Sequence, residues 1–290
     1  VIIHDFAPRY KKNFFPVGRI YAIMEEGDAM ERSGIEKIAK NPEDRLLLAK
    51  LWDKINAGVR KNIPANTCFL APRELELAGF LFGNLPGLYR FGGYEDAERK
   101  MLVYLPDYLE ESALYEDDSP LCCLEASFFE ADKLSHRDFL GALMGAGIAR
   151  ETVGDICVEP GRCLFFVTAE ITPYVLDNLR EAGRTKLHLK QLPLLGLSMP
   201  EPEFQEIRDT MASIRLDSVI ASGFRIGRSL AADYVNAGKV SIDGLPCEKP
   251  DKTVSEGAKI SVRGLGKIKL SQIGGRTKKD RIAVTIQKYV

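Results

Sequence analysis

The stretch RLDSVIASGFRIGRSLAADYVNAGKVSIDG, from Arg215 to Gly244, decides how this chain is read. Leu216, Val219 and Ile220 recur at helical spacing, and Gly223 is placed to end that short helix in a left-handed cap. A second helix is predicted from Gly227, a permissive cap, with Leu230, Ala231, Tyr234 and Val235 as its apolar stripe and Gly238 as its end. Lys239 to Asp243 then alternates through Val240 and Ile242. Asp243-Gly244 is a tight-turn signal, and Lys259 to Arg263 alternates again through Ile260 and Val262. Helices this short must pack on something, so the pattern predicts a helix pair on a small hairpin sheet. Arg225 and Arg228 flank the inter-helix turn, where their side chains and the first amides of the second helix can meet one phosphate together.

Charge sharpens that reading. From Arg215 to Val290 the chain carries 15 Lys and Arg against 7 Asp and Glu, a net of +8, whereas Val1 to Ile214 carries 25 against 34, a net of −9. The overall −1 conceals a dipolar molecule. A positive module on an acidic body points to a polyanion held at one end, because phosphate neutralisation is the main sequence-independent source of nucleic-acid affinity. After Val262, RGLGKIKLSQIGGRTKKDRIAVTIQKYV sets Arg263, Lys267, Lys269, Arg276, Lys278, Lys279 and Arg281 against a single acid, Asp280. Gly264, Gly266, Gly274 and Gly275 imply turns, so an extra hairpin continuing the basic face is expected.

The segment resembles the RNA-binding domain named after small-subunit ribosomal protein S-four, the alpha-L motif. Arg-Leu-Asp stands at 215–217, Gly-Arg-Ser at 227–229 and Gly-Lys-Val-Ser-Ile-Asp-Gly at 238–244, with Pro250 and Gly257 following. Three positions depart from the family pattern: Gly227 for its cap Ser, Asp243 for its turn Asn, and Ala258 for an Asp at the entry of a strand. The first two keep the backbone geometry; the third is expected to loosen that strand's register. The resemblance implies a grip on structured RNA by phosphate and minor-groove shape, since an A-form helix hides its base edges in a deep major groove. The expected RNA contacts are Arg215, Arg225, Arg228, Ser229, Lys239, Arg263, Lys267, Lys269, Arg276, Lys278 and Lys279. Asp217 is read as structural and no catalytic residue is assigned.

At 290 residues the chain has room for two or three domains, and 45% hydrophobic with 28% charged residues is ordinary for a soluble protein. No run reaches the roughly 18 apolar residues of a membrane helix. The opening VIIHDFAPRYKKNFFPVGRIYAI has neither a continuous apolar core nor a small-residue cleavage site, so no secretory signal is expected. Met24 and Met30 are candidate starts, which makes 1–29 a disordered extension; a short docking arm is the alternative. Cys68, Cys122, Cys123, Cys157, Cys163 and Cys247 show no CxxC spacing and read as buried reduced thiols. His4, His136 and His188 are scattered, so no zinc site and no cofactor is assigned. A cytoplasmic monomer is expected.

Ahead of the basic module the chain divides in two. In 30–119, a helical and α+β region, Asn41-Pro42-Glu43-Asp44 is a helix start and Leu48, Leu51, Trp52, Ile55 and Val59 carry its apolar stripe to about Lys61. A second helix starts at Pro72, and RFGGYEDAERKMLVYLP brings a glycine turn and a strand. In 120–205 the order is strand (LCCLEASFF), helix (HRDFLGALMGAG, with Ser135 and Asp138 as a capping box), hairpin (GDICVEPGRCLFFVTAE), helix (TPYVLDNLREAG) and strand (KLHLKQL). That order is ferredoxin-like. RNA-recognition-motif proteins share it, but RCLFFVTA matches their aromatic octamer only in part, so Phe165 and Phe166 are expected in the core. With the S-four module at 213–290 the fold class is α+β.

Taken end to end, Met30 to Val290 resembles the YlmH family of bacterial proteins. The specific points are LAPRE at 70–74, RFGGYEDAER at 90–99, HRDFLGALMGAGIARETVGDI at 136–156, and the closing RGLGKIKL and TKKDR. The resemblance implies a cytosolic RNA-binding factor on the large ribosomal subunit, with ribosomal RNA and tRNA as partners. It is connected with subunits that still carry peptidyl-tRNA, during rescue by C-terminal tailing of the stalled chain, and with cell division. Other classes fit less well. A pseudouridine synthase uses an Asp in an RLD motif, but here the motif lies inside the RNA module and has no second copy. A methyltransferase needs a glycine-rich strand-to-helix turn, whereas GALMGAG at 141–147 sits in a helix. The motifs of a tyrosyl-tRNA synthetase are absent. A protein-interaction adaptor would place the main binding on the acidic half.

Overall fold

The computed structural model describes residues 34–200 and 203–289. The extension expected at 1–29, with both candidate start methionines, lies outside the described residues. Helix α1 (Gly34–Ile38) leads to α2 (Pro42–Lys61), whose start was legible: the Asn41 side chain accepts the Asp44 amide at 2.8 Å and Pro42 fills the first turn. Leu48, Leu51 and Ile55 pack against Leu75, Ala78 and Phe82 of α3 (Pro72–Phe82). The glycine turn of RFGGYEDAERK separates two strands rather than preceding one. These are β2 (Leu88–Phe91) and β3 (Met101–Tyr104), which join β1 (Ala65–Asn66) in a sheet ordered β1-β3-β2.

The central unit runs β4 (Leu121–Ser127), α4 (His136–Gly145), β5 (Val153–Glu159), β6 (Arg162–Thr168), α5 (Thr172–Asn178) and β9 (His188–Leu192). Its antiparallel sheet, ordered β5-β6-β4-β9, has the ferredoxin-like arrangement. The second helix is shorter than TPYVLDNLREAG suggested. It stops at Asn178, and the remaining residues turn at Gly183 into a small hairpin, β7 (Glu181–Ala182) with β8 (Thr185–Lys186). Both faces of the sheet are buried, as a continuous apolar strand such as CLFFV requires. Leu124, Ala126, Phe165 and Val167 meet Phe139, Leu143 and Val175 from the helices. Leu121, Cys123, Leu164 and Phe166 meet Phe69, Phe91, Met101 and Val103 from the N-terminal region. The two regions thus share a core across residue 120.

The C-terminal unit contains β10 (Phe204–Met211), α6 (Leu216–Phe224), α7 (Arg228–Asn236), β11 (Val240–Ile242), β12 (Leu245–Pro246), β13 (Lys259–Val262), β14 (Gly266–Arg276) and β15 (Ile282–Tyr289). The sheet order is β10-β15-β14-β13-β11-β12. Strand β10 straddles the boundary expected at 205 and belongs to this sheet, paired with β15 from Phe204↔Tyr289 to Met211↔Ile282. The helix pair covers one face, where Leu216, Val219, Ile220, Ala231 and Val235 pack on Ile260, Val262, Ile268, Leu270 and Ile286.

Three local expectations change. Gly223 is not the cap of α6: it lies in the helix, where a Cβ would come within 2.7 Å of Ile268, and Arg225 takes the left-handed cap at φ 53°. Leu230 leaves the apolar stripe and stands exposed. Ala258 does not loosen its strand, because it is buried and the Asp243 carboxylate accepts the Lys259 amide at 2.8 Å, fixing Ile242 opposite Ile260.

Candidate RNA interface

Helix α6 opens on a buried carboxylate. Asp217 is 4% exposed, and its Oδ2 lies 3.1 Å from both Arg215 Nη2 and Arg228 Nε. Burial alone would raise the Asp217 pKa, but hydrogen bonds from Arg228 and Arg215 outweigh it and hold the group below its ordinary value. Arg215 and Arg228, two of the expected RNA contacts, therefore first tie the start of α6 to the start of α7. A guanidinium has five donors, so each keeps N–H groups for an outside anion. Two further cations lie beside them. The Leu216 amide donates to Lys252 O at 2.9 Å and the Asp217 amide to Pro250 O at 3.0 Å, which brings Lys249 and Lys252 to the same helix end. Neither was among the expected contacts, although Pro250 marked the segment that caps α6.

Arg225 and Ser229 are exposed on the turn and on the first turn of α7. Arg225 follows Phe224, whose ring lies under Lys288 Nζ at 5.6 Å, beside residue 268 of β14. Lys239 stands over the Tyr234 ring at 5.5 Å and its carbonyl accepts the Arg263 amide at 2.9 Å, so both cations occupy the sheet end where β11 begins. Arg276, Lys278 and Lys279 are at the opposite end. With 11 residues in β14, the two ends are about 30 Å apart.

Lys267 and Lys269 are on the sheet face turned away from the helices, and that face meets the body. Lys267 pairs with Glu98 and stands over Tyr289 at 5.5 Å. Burial, then Glu98 and Asp96, raise the Tyr289 pKa. Burial, then the charge of Lys259, lowers that of Lys100; Lys259 is the register partner of Lys269. The Asp243-Gly244 turn seats on the start of α3. Gly244 has φ +84°, and a Cβ there would lie 2.6 Å from Arg73 N. The facing loop is held by Asp155, which accepts from Tyr94 Oη at 2.8 Å and from the amides of Glu98 at 2.7 Å and Arg99 at 3.0 Å. The sequence stretches at 90–99 and 136–156 meet at this knot.

The central sheet offers no aromatic platform, since Phe165 and Phe166 are fully buried. On its helix side a groove of about 570 Å³ runs between α4 and the β7 hairpin, lined by Arg137, Gly141, Ala146, Arg180 and Gly183. Burial pushes the Cys123 thiol up to about 12 and the Cys157 thiol up to about 11, so neither is a nucleophile at neutral pH. Among the described residues no group of three His, Cys, Asp or Glu side chains is placed to hold a metal.

Two family models match the chain. The one described as "Putative RNA-binding domain in YlmH" covers residues 127–195, and the S4 domain covers residues 214–260. A Bacillus subtilis (strain 168) relative, ribosome-associated protein quality control protein P2, is 35% identical over 226 residues, which is 77% of this chain and 86% of the relative. The chain belongs to the YlmH family. Both matched YlmH-family segments are of RNA-binding type, and the protein is an RNA-binding factor. The S4 match ends before β14, and β10 precedes it, so β10, β14 and β15 stand outside both matches. A solved structure, cell division protein YlmH from Streptococcus pneumoniae, is 23% identical and covers 54% of this chain and 95% of its own, with a TM-score of 0.45.

Proposed function

We propose that this RNA-binding factor acts without catalysis on the large ribosomal subunit, contacts ribosomal RNA and tRNA while peptidyl-tRNA is still bound, and serves the rescue of stalled chains by C-terminal tailing. It does so as a cytoplasmic monomer. One observation carries the reading: the cations Arg225, Lys239 and Arg263 stay exposed on the module, while the module meets the acidic body through Lys267 and the Gly244 turn. Contacts of this kind read phosphate and shape, with little sequence preference. Selectivity for one ribosomal particle then comes from several linked surfaces engaged at once, each raising the effective concentration of the others. The name of the Bacillus relative supports a place in ribosome-associated quality control. The closure of Asp217 by two guanidiniums supports a binding role over RNA modification.

Co-sedimentation at near-physiological salt tests it, using large subunits that retain peptidyl-tRNA, empty large subunits and intact translating ribosomes. Preference for the first particle is expected, with loss of that preference when the module is severed from the body. Equal binding to all three would leave a general RNA-binding protein and remove the rescue role.

A further inference from the structure

The turn that joins β14 to β15 is ordered and positively charged. It is braced from within: the Thr277 amide donates to Arg281 O at 2.7 Å and Asp280 takes the left-handed conformation at φ 56°. Asp280, the one acid there, is occupied by Arg276 at 2.6 Å, and Arg281 donates to Thr210 Oγ1 at 3.0 Å. Lys278 and Lys279 remain, both exposed and without an ion pair among the described residues. A turn ordered before binding loses little conformational entropy when it binds.

The turn is also far from the helix pair. Gly223 packs on Ile268, and Arg225 follows two residues later. From Ile268 to Arg276 is eight residues of β14, a span of about 25 Å at ~3.4 Å per residue with the bulges allowed for. One phosphate, or one short stretch of backbone, cannot reach both.

We infer that Lys278 and Lys279 form a second RNA-binding site, separate from the helix pair, that takes the sugar-phosphate backbone of a folded RNA. The segment 276–281, Arg-Thr-Lys-Lys-Asp-Arg, contains no aromatic ring, so it has nothing on which to stack unpaired bases. Two sites set this far apart select RNA that presents phosphates at both places, which a short single strand does not do. The inference rests on the RNA-binding reading above and extends it to strands outside the S4 match.

The test uses the full chain with folded transfer RNA and isolated large ribosomal subunits as probes. Lys278→Glu with Lys279→Glu is expected to weaken binding by about tenfold and to reduce the slope of log affinity against log salt by about 2. Lys278→Gln with Lys279→Gln should show a smaller loss in the same direction, and both pairs should melt as the parent does. Photo-cross-linking groups at Gly275, which faces open space, and at Ser229 should label different nucleotides. Unchanged affinity and slope in the glutamate pair, or labelling of the same nucleotides from both positions, would overturn the second site. If Arg225→Glu with Lys239→Glu still loses binding in that case, the RNA-binding reading stands; if that pair also binds normally, the reading itself fails.

Discussion

The central sheet and the C-terminal sheet are both antiparallel and both carry helices on one side, but their second faces differ. In the central sheet that face presents Leu121, Cys123, Leu164 and Phe166 to the N-terminal region and is closed by apolar contact. In the C-terminal sheet it presents Lys259, Lys267 and Lys269, and meets the body through a charged loop. Apolar burial at about 25 cal/mol per Å² makes the first contact a permanent core. Ion pairs at partly exposed positions make the second a weak, salt-sensitive one. A sheet with RNA-recognition order can thus lack a stacking face, while the exposed cations lie on helix ends and turns of a different sheet.

Removing the core contact has the largest expected effect. Phe166→Ala should destabilise the protein by about 3–5 kcal/mol, read by denaturant unfolding, because the ring touches both the N-terminal region and the central sheet. A small stability loss together with a large loss of RNA affinity would mean that Phe166 is a stacking residue, and would undo the comparison.

Next is Asp217→Asn, expected to cost about 1–3 kcal/mol, since the guanidiniums it holds are themselves partly solvated. The folded pKa of Asp217 is depressed, so its contribution is complete above the ordinary carboxylate value of 3.8 and is lost as pH falls through the lower folded value. Acid unfolding curves should show this loss in the parent and not in the Asn variant. If a modified nucleotide disappears from cells carrying Asp217→Asn, the non-enzymatic reading is wrong.

How far these features were legible depends on how local they are. The Asn41-Pro42 start of α2, the Ser135–Asp138 cap and the Asp243-Gly244 turn each depend on residues within a few positions, and their geometry follows the pattern. Strand β10 was not legible. Its sequence FQEIRDTM is mostly polar, and its partner β15 begins 71 residues after it ends, so no local period announces the pairing. The site residues divide in the same way. Arg225 and Ser229 lie where the helix pattern puts them, whereas the pairing of Lys267 with Glu98, 169 residues away, needs the tertiary fold. Gly223 departs from the cap its position suggests, because a glycine near a helix end usually signals a cap while here it makes room for Ile268.

The module-to-body contact should respond least. Glu98→Lys or Lys267→Glu is expected to shift stability by about 0.2–1 kcal/mol, less at high salt, and the double swap should restore it. Hydrogen exchange of the 94–99 amides would register the loosening. A loss several times larger would mean that the loop belongs to a core and that the two sheet faces are not so different.

Paired charge reversals in the full chain, measured for affinity to large ribosomal subunits across salt, test the placement of RNA most directly. One variant carries Arg225→Glu, Lys239→Glu and Arg263→Glu on the module; the other carries Arg137→Glu and Arg180→Glu, which line the groove beside α4. The module variant is expected to bind about 100-fold more weakly with a salt slope lower by about 3, while the central variant stays within about threefold of the parent. A central variant that loses as much as the module variant, with its fold intact, would contradict this and move the principal RNA contact to the groove beside α4.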